Sequence, residues 1–247
     1  MSLHTHADKL RSLLPQGARE RLYELHPGRA RRWRQHPGVE RLEPTGKVVL
    51  TFDDGPDHDA TPAVLDALDQ VGATATFFLL GTQAAANPEL AVEITRRGHE
   101  IGLHGNNHVR HDRITPAESA RDLKDGLHAL EDVVGVRCHW YRPPYGKMSP
   151  AAAQTCAELG MTIVYWSAWG LDWEEVGAER IATVASSQID DGGVVLLHDS
   201  ARFARRASAA PTAAAIPIIA ANAEARGLSL VALRDATDAP LHVAGAR

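Results

Sequence analysis

Residues 48–56 of this 247-residue chain read VVLTFDDGP, an apolar run that ends in two adjacent aspartates. The run predicts a β-strand, with Asp53 and Asp54 at its carboxyl end. Adjacent carboxylates repel each other when both are ionised and partly buried. A bound cation that takes one carboxylate and leaves the other free would relieve this repulsion. The stretch therefore predicts a strand that delivers a metal ligand and a free carboxylate to one place.

Two histidines that suit such a site occur in residues 104–108, HGNNH, just after a second β-like run at Glu100–Leu103. Imidazoles four residues apart lie on one side of a helical turn or tight loop. With one carboxylate they form the three-ligand, open-position set of a hydrolytic zinc site. Each half alone has a plainer interpretation, because Asp-Asp-Gly is a common turn and the chain has 13 His. The combination is more specific, since residues just past strand ends converge on one face of a β/α barrel.

Three further polar stretches occupy similar positions: RPPYG at residues 142–146, Asp172-Trp173, and His198-Asp199 after the apolar run at Val194 to Leu197. Together with the first two, they resemble the five motifs of the polysaccharide deacetylase family, carbohydrate esterase family 4. Members of this family remove N- or O-acetyl groups from chitin, chito-oligosaccharides, peptidoglycan and xylan. The resemblance covers roughly Lys47 to Leu233, with the five motifs in order.

The resemblance implies a role for each motif residue. Asp53 would be the general base, with Arg142 orienting and tuning it. His198 would be the general acid, tuned by Asp172. The backbone N–H of Tyr145 would join the metal in stabilising the oxyanion. The remaining assignments are Asp54, His104 and His108 as ligands of zinc or sometimes cobalt, Pro143 and Pro144 as the rigid turn, and Trp173 and Leu196 as walls of the acetyl pocket.

Residue chemistry agrees with this interpretation. Amide hydrolysis needs a strong nucleophile, a stabilised oxyanion and a proton for the leaving amine. Metal-bound water, the metal with a backbone donor, and an imidazolium meet these three needs. An aspartate held beside His198 would favour the charged imidazolium near neutral pH.

Two positions depart from the usual family motifs. The second motif usually reads His-Ser/Thr-x-x-His, with a hydroxyl that braces the loop, but Gly105 stands at that position. The brace is then missing or comes from Asn106 or Asn107. The fourth motif usually begins with Asp, but here it begins with Trp169, whose aromatic face could stack on a sugar or another flat group. Trp169 is therefore predicted to contact substrate.

Seven short apolar runs alternate with helical segments along the rest of the chain. This alternation predicts an α/β protein with a parallel barrel, and the resemblance implies a distorted (β/α)7 TIM-like barrel in a single domain. The barrel is predicted over residues 47–235, after a basic, helical extension at 1–46 and before a tail at 236–247. The alternative for the extension, which carries Arg29, Arg31, Arg32 and Arg34, is a patch that binds membranes or polyanions.

Composition limits the partners. A formal net charge of −5 argues against nucleic acid as a partner. The sequence contains no run of about 18 apolar residues, so no membrane span is predicted. The N-terminus lacks an apolar secretion region, so a cytoplasmic enzyme is expected. Cys138 and Cys156 are interpreted as buried thiols rather than a disulfide. Oligomeric state is left open.

The sequence therefore predicts a metal-dependent hydrolase of linear amides that removes an N-acetyl group from an amino sugar or chito-oligosaccharide. The expected cofactor is one divalent metal, zinc before cobalt, and the expected partner is an acetylated carbohydrate or small molecule. One alternative is hydrolysis of another amide or ester, such as a formamide, an acetylated natural product or acetylxylan. A second is a catalytically inactive, carbohydrate-binding barrel, against which the complete set of motif residues argues.

Overall fold

A computed structural model describes residues 36–237 together with Leu14, Pro15 and Ala18. Contacts divide the chain into the units Met1–Trp33 and Arg34–Arg247, and every element below belongs to the second unit. The predicted extension at 1–46 lies largely outside the described residues, and so does the tail from residue 238 onwards. The three predicted domain boundaries therefore stay predictions.

The described strands form one sheet in which every pair is parallel. Their order is β5-β4-β3-β2-β1-β7-β6, and β8 also pairs with β1. This curled, all-parallel arrangement confirms the predicted distorted β/α barrel. The strands are β1 Lys47–Asp53, β2 Thr76–Leu79, β3 Glu100–Leu103, β4 Trp140–Tyr141, β5 Thr162–Ile163, β6 Ala168–Trp169, β7 Val194–His198 and β8 Ser229–Val231.

Helices connect the strands, as the alternation predicts. A short 3-10 turn at Pro144–Gly146 follows β4. Within the described residues no helix is both long enough and apolar enough to cross a membrane. The helices are α1 Thr61–Val71, α2 Gly81–Ala86, α3 Pro88–Arg96, α4 Pro116–Val134, α5 Pro150–Glu158, α6 Ala178–Ser186, α7 Ala210–Glu224 and α8 Leu233–Ala236.

Strand β1 lies in the middle of the sheet and is buried from Val48 to Asp53. It has no alternation of apolar and polar residues because both of its faces are covered, as is usual for a parallel sheet. It pairs with β2 on one side and with β7 and β8 on the other. The register sets Asp53 opposite His198, so two motif residues reach the same end of the sheet.

The strand count differs from the prediction, because residues 36–237 contain eight strands instead of the predicted seven. One of the seven apolar runs, Thr162 to Ser167, predicts a single strand, and this prediction is wrong because only Thr162–Ile163 of the run is a strand. Thr162–Ile163 is one edge strand of the sheet and pairs with β4, whereas Ala168–Trp169 lies at the opposite edge and pairs with β7. The chain thus passes from one edge strand of the sheet to the other within a few residues. An apolar run without periodicity does not reveal such a crossing.

Smaller predictions are also resolved. Cys138 and Cys156 are both buried and free, which confirms the interpretation as thiols. Helix α2 was not predicted. Of the segment before the barrel, Val39 forms an isolated bridge with Val164, and Arg41 forms one with Gly193.

Candidate active site

Three ligand-type side chains meet at the carboxyl ends of β1 and β3. Asp54 Oδ1 lies 3.4 Å from His104 Nε2 and 3.3 Å from His108 Nε2. The backbone of Asp54 is left-handed, with φ of 83°, so its carboxylate leaves the direction of the strand. One ligand atom from each residue lies within 4.8 Å of the other two. The structure therefore brings the three predicted metal ligands together.

The hydrogen bonds of this cluster fit a cation. His104 Nδ1 lies 2.7 Å from the carbonyl oxygen of Arg142, and because a carbonyl only accepts, Nδ1 carries the proton. The Nε2 atom of a neutral His104 then presents a lone pair to Asp54 Oδ1. That oxygen is buried and accepts no hydrogen bond among the described residues. The lone pairs of His104 Nε2 and Asp54 Oδ1 therefore face each other with no hydrogen-bond donor between them, which is the environment that a divalent metal ion needs.

The protonation of the ligands also suits a metal. Burial alone would raise the pKa of Asp54, but contact with His104 and the charge on His198 lower this pKa to about 2. Burial lowers the pKa of His108 to about 4. Near neutral pH the cluster therefore contains a carboxylate and a neutral imidazole, which are the forms that bind metals.

Asp53 is held from behind by a buried guanidinium. Arg142 Nη1 donates to Asp53 Oδ1 at 2.8 Å and to Thr51 Oγ1 at 2.6 Å, and Nη2 donates to the carbonyl of Tyr165 at 2.9 Å. The second oxygen of Asp53, Oδ2, lies 3.9 Å from His104 Nε2. One oxygen of Asp53 is thus fixed, and the other faces the ligand cluster. Thr51 was not predicted to belong to the site.

His198 is bound twice by Asp172. Its Nδ1 lies 2.9 Å from Asp172 Oδ1, and its backbone N–H donates to Asp172 Oδ2 at 2.8 Å. Thr212 Oγ1 also donates to Oδ2, at 2.9 Å. Burial opposes protonation of His198, but the charge of Asp172 and the hydrogen bond to it raise the pKa of His198 to about 9. The imidazole is therefore protonated near neutral pH.

The loop after β7 lies against the site. Arg206 is buried, and its Nη2 donates to the carbonyls of His198 and Ser200 at 3.0 and 3.1 Å. The ring centroid of Phe203 lies 4.2 Å from that of His108. The segment Ser200 to Pro211 is too long for a tight connection, so the sequence predicts a lid or rim there, with a solvated loop as the alternative. These contacts favour the rim. Sequence reasoning placed Arg206 in this segment but did not identify Phe203 or Thr212, because no motif contains them.

The predicted turn residues lie beside the ligand cluster. Tyr145 has a left-handed backbone, with φ of 58°, and its ring centroid lies 4.5 Å from that of His108. Its side chain is 56% exposed, whereas Pro143 and Pro144 are buried beneath it. The turn therefore presents Tyr145 at the surface of the site.

The predicted pocket residues divide into two groups. Leu196 is buried on the same face of β7 as His198, two residues before it, and the ring of Trp173 lies 5.8 Å from that of His198. Trp169 is on β6, opposite Leu196 in the register, and is only 6% exposed. Little of the Trp169 ring is available for stacking, and its role in substrate binding stays a prediction.

The fold and the site together are those of a hydrolase on a parallel β/α barrel, in which an Asp–Arg pair and a His–Asp pair lie beside a cluster of ligand-type side chains. The sequence profile described as polysaccharide deacetylase matches residues 41–164. The chain belongs to this family, and the expected deacetylase activity on carbon–nitrogen bonds other than peptide bonds is confirmed.

Known relatives are similar over most of the barrel. A peptidoglycan-N-acetylglucosamine deacetylase of Bacillus cereus is 37% identical over 65% of this chain and 81% of the relative. A chitooligosaccharide deacetylase of Bradyrhizobium is 37% identical over 63% of this chain and 71% of the relative. The crystal structure of a peptidoglycan N-acetylglucosamine deacetylase in complex with 4-naphthalen-1-yl-N-oxidanyl-benzamide superposes with a TM-score of 0.75. It is 28% identical and covers 82% of this chain and 92% of the other.

Proposed function

We propose that this chain is a metal-dependent deacetylase that hydrolyses the N-acetyl group of an amino sugar or chito-oligosaccharide. The observation that carries the proposal is the pairing of Asp53 with His198 on adjacent strands, beside the cluster of Asp54, His104 and His108. A base and an acid at one end of the sheet are what amide hydrolysis needs. The names of the relatives support this substrate class.

Asp54, His104 and His108 would hold the metal, with zinc expected first and cobalt as the alternative. Once bound there, a divalent cation polarises the acyl oxygen and lowers the pKa of water. Three protein ligands leave positions open for water and substrate, which is the usual arrangement of a catalytic zinc site.

Asp53 would act as the general base. Its Oδ1 is occupied by Arg142, so Oδ2 is the oxygen that accepts the proton of the attacking water. The hydrogen bond from Arg142 Nη1 fixes the orientation of the Asp53 carboxylate, so Oδ2 keeps its direction towards the ligand cluster.

His198 would donate a proton to the departing amine. Asp172 binds Nδ1, which leaves Nε2–H as the donor for the substrate. A pKa of about 9 keeps this proton available near neutral pH. An amine leaves a tetrahedral intermediate slowly unless it is protonated, so this donor matters most for amides.

The remaining side chains would position the acetyl group. The N–H of Tyr145 would donate to the developing oxyanion, and Trp173 and Leu196 would enclose the acetyl methyl. A cytoplasmic location is part of this proposal.

Acetate release tests this proposal. N-acetylglucosamine, chito-oligosaccharides, acetylxylan and nucleotide-linked amino sugars are incubated with the wild-type protein loaded with zinc. Release from the N-acetylated sugars is expected, and activity restricted to acetylxylan would favour the alternative ester hydrolase. Metal content is measured by mass spectrometry in parallel, and His104→Ala is expected to lose the zinc that the wild type retains. Equal, stoichiometric zinc in both proteins would contradict the ligand assignment.

A further inference from the structure

The loop at residues 104–108, called the metal loop below, carries two of the three candidate ligands on an irregular backbone. Such a backbone needs partners for its peptide groups. On one side these come from the start of α2. The N–H of Gly81 donates to the carbonyl of Gly105 at 2.9 Å, and the N–H of Thr82 donates to that of Asn106 at 3.1 Å. The carbonyl side of the loop is therefore held by α2.

A single carboxylate from α4 holds the N–H side of the metal loop. Asp122 Oδ2 accepts from the N–H of Asn106 at 3.1 Å. Asp122 Oδ1 accepts from the N–H of Asn107 at 3.0 Å and from its side-chain Nδ2 at 3.1 Å. Asp122 is only 7% exposed, so little water competes for these donors. Three charge-assisted hydrogen bonds thus connect α4 to the segment between the two histidines.

The backbones of α4 and the metal loop approach closely enough for this contact because two glycines face each other. A Cβ atom at Gly126 would lie 2.6 Å from the nitrogen of Asn106, which no side chain tolerates. A Cβ atom at Gly105 would lie 2.9 Å from Asp122 Oδ2. Gly126 follows Asp122 by four residues and therefore lies on the same face of the helix. Gly105 and Gly126 leave the space that the Asp122 carboxylate uses.

Asp122 is itself fixed by its surroundings. His111 Nε2 lies 3.4 Å from Asp122 Oδ2, and His111 Nδ1 lies 2.7 Å from Ser119 Oγ, one turn earlier on α4. The helix begins at a capping box formed by Thr115 and Glu118. The carboxylate is therefore presented by a defined helix rather than by a mobile side chain.

We propose that Asp122 is the positioning residue of the metal site, which holds His104 and His108 in register by binding the backbone between them. In the usual family motif a hydroxyl at the position of Gly105 braces this loop, and here the sequence left the brace either missing or supplied by Asn106 or Asn107. Asp122 supplies the brace from α4, and Asn107 takes part by donating to it. The inference rests on the proposed function, because it assumes that the two histidines bind a metal. Loss of Asp122 would let the peptides at Asn106 and Asn107 rotate and would separate the ligand atoms.

Zinc affinity tests this proposal in the full chain. Metal-free wild type and variants are titrated with Zn²⁺ against a chromogenic chelator. Asp122→Ala is expected to weaken zinc binding by about 10- to 100-fold, the usual effect of removing a group that orients metal ligands. Asp122→Asn keeps the volume and one acceptor oxygen, so a smaller loss is expected. Asp125→Asn, an exposed carboxylate on the same helix, is expected to bind zinc like the wild type.

A second control separates positioning from general destabilisation. Leu130→Ala removes a buried side chain from α4 and lowers the melting temperature of the metal-free protein without touching the metal loop. It is expected to retain wild-type zinc affinity and the full rise in melting temperature on adding zinc, whereas Asp122→Asn shows a reduced rise. Should Asp122→Ala not fold, Asp122→Asn decides the question.

The outcomes distinguish the two proposals. A wild type that binds no zinc at His104 and His108 would contradict the proposed function. A wild type that binds zinc, together with folded Asp122 variants of equal affinity, would overturn only the role of Asp122. Equal losses of affinity in Leu130→Ala and Asp122→Asn would also overturn it, because stability alone would then explain them.

Discussion

A few charge-assisted hydrogen bonds determine which atoms of the candidate site remain free to react. Arg142 occupies Asp53 Oδ1, and Asp172 occupies His198 Nδ1. In the proposed function, the partner atoms, Asp53 Oδ2 and His198 Nε2, are the ones that act on water and substrate. Both holding groups are fully buried, so their hydrogen bonds are little weakened by water.

Asp53→Asn is expected to lower kcat by about 10²- to 10⁴-fold, the usual contribution of a general base. The amide cannot take up a proton at neutral pH but keeps the shape of the carboxylate, and the metal ligands are untouched. Steady-state kinetics and zinc content by mass spectrometry are measured together. Asp59→Asn, an exposed change just after the same strand, serves as the control. A kcat near that of the wild type would place the base elsewhere.

The pH dependence of the reaction should report the proton on His198. The acid must be protonated, so kcat/KM is expected to fall as pH rises through about 9. In Asp172→Asn the charge that raises this pKa is gone, and the alkaline limb is expected to move towards 6.5, the ordinary value. The stabilisation that protonated His198 gives the fold by pairing with Asp172 follows the same pH dependence. It is fully present below pH 6.5 and is lost as pH rises through about 9. An alkaline limb that stays in place in Asp172→Asn would argue against His198 as the acid.

At the scale of elements, strand ends and helix starts determine where the motif residues lie. Asp53 ends β1 and His198 ends β7, so their separation follows from the pairing of the two strands. Helix α4 lies beside the metal loop, and its N-cap is Thr115, whose side chain accepts from the N–H of Glu118. The start of α4 therefore affects both the stability of the barrel and the presentation of Asp122.

Thr115→Ala is expected to lower the free energy of unfolding by about 1 kcal/mol, because the N–H of Glu118 loses its acceptor. Thr115→Ser keeps the hydroxyl and is expected to differ from the wild type by only a few tenths of a kcal/mol. Urea denaturation followed by circular dichroism measures both variants. Equal stability of Thr115→Ala and the wild type would show that the capping box does not contribute.

At the scale of the whole molecule, the barrel depends on contacts between residues far apart in the chain. Asp191, before β7, accepts hydrogen bonds at 2.8 Å from the N–H groups of both Thr45 and Gly46, and one at 3.2 Å from Lys47 at the start of β1. These hydrogen bonds connect the start of the first strand, β1, with the turn that precedes β7. The hydrogen bond from the N–H of Gly46, followed by those from the N–H groups of Thr45 and Lys47, lowers the pKa of Asp191 and outweighs the effect of burial.

Asp191→Ala is expected to lower the melting temperature near neutral pH. Because the folded pKa lies below the ordinary 3.8, the stabilisation is present above pH 3.8 and is lost as pH falls through the lowered value. The difference from the wild type should therefore shrink in acid. Asp191→Asn keeps one acceptor oxygen and should show a smaller loss with little dependence on pH. A constant difference at all pH values would contradict the role of the charge.

The sequence by itself determined the class of fold and most of the elements. Apolar runs such as Val48 to Phe52 predict strands, and amphipathic segments with a capping residue such as Thr115 predict helices. Both signals are local, and the parallel β/α packing of this fold is compatible with them. The positions of Asp53, Asp54, His104 and His108 after such runs predicted that they converge, and the structure brings them together. Their convergence was predictable because carboxyl ends of parallel strands share one end of a sheet.

Only the tertiary structure decided the features that depend on long-range packing. The run Thr162 to Ser167 does not form one strand, because Thr162–Ile163 pairs with β4 and the next strand, Ala168–Trp169, pairs with β7. Trp169 is buried by its position on β6, although its residue type suggested a surface for sugars. Asp122 reaches the metal loop only because Gly126 lets two backbones touch. Local periodicity contains no information about which distant groups a strand or helix will meet, and these contacts decide how the side chains of the site are held.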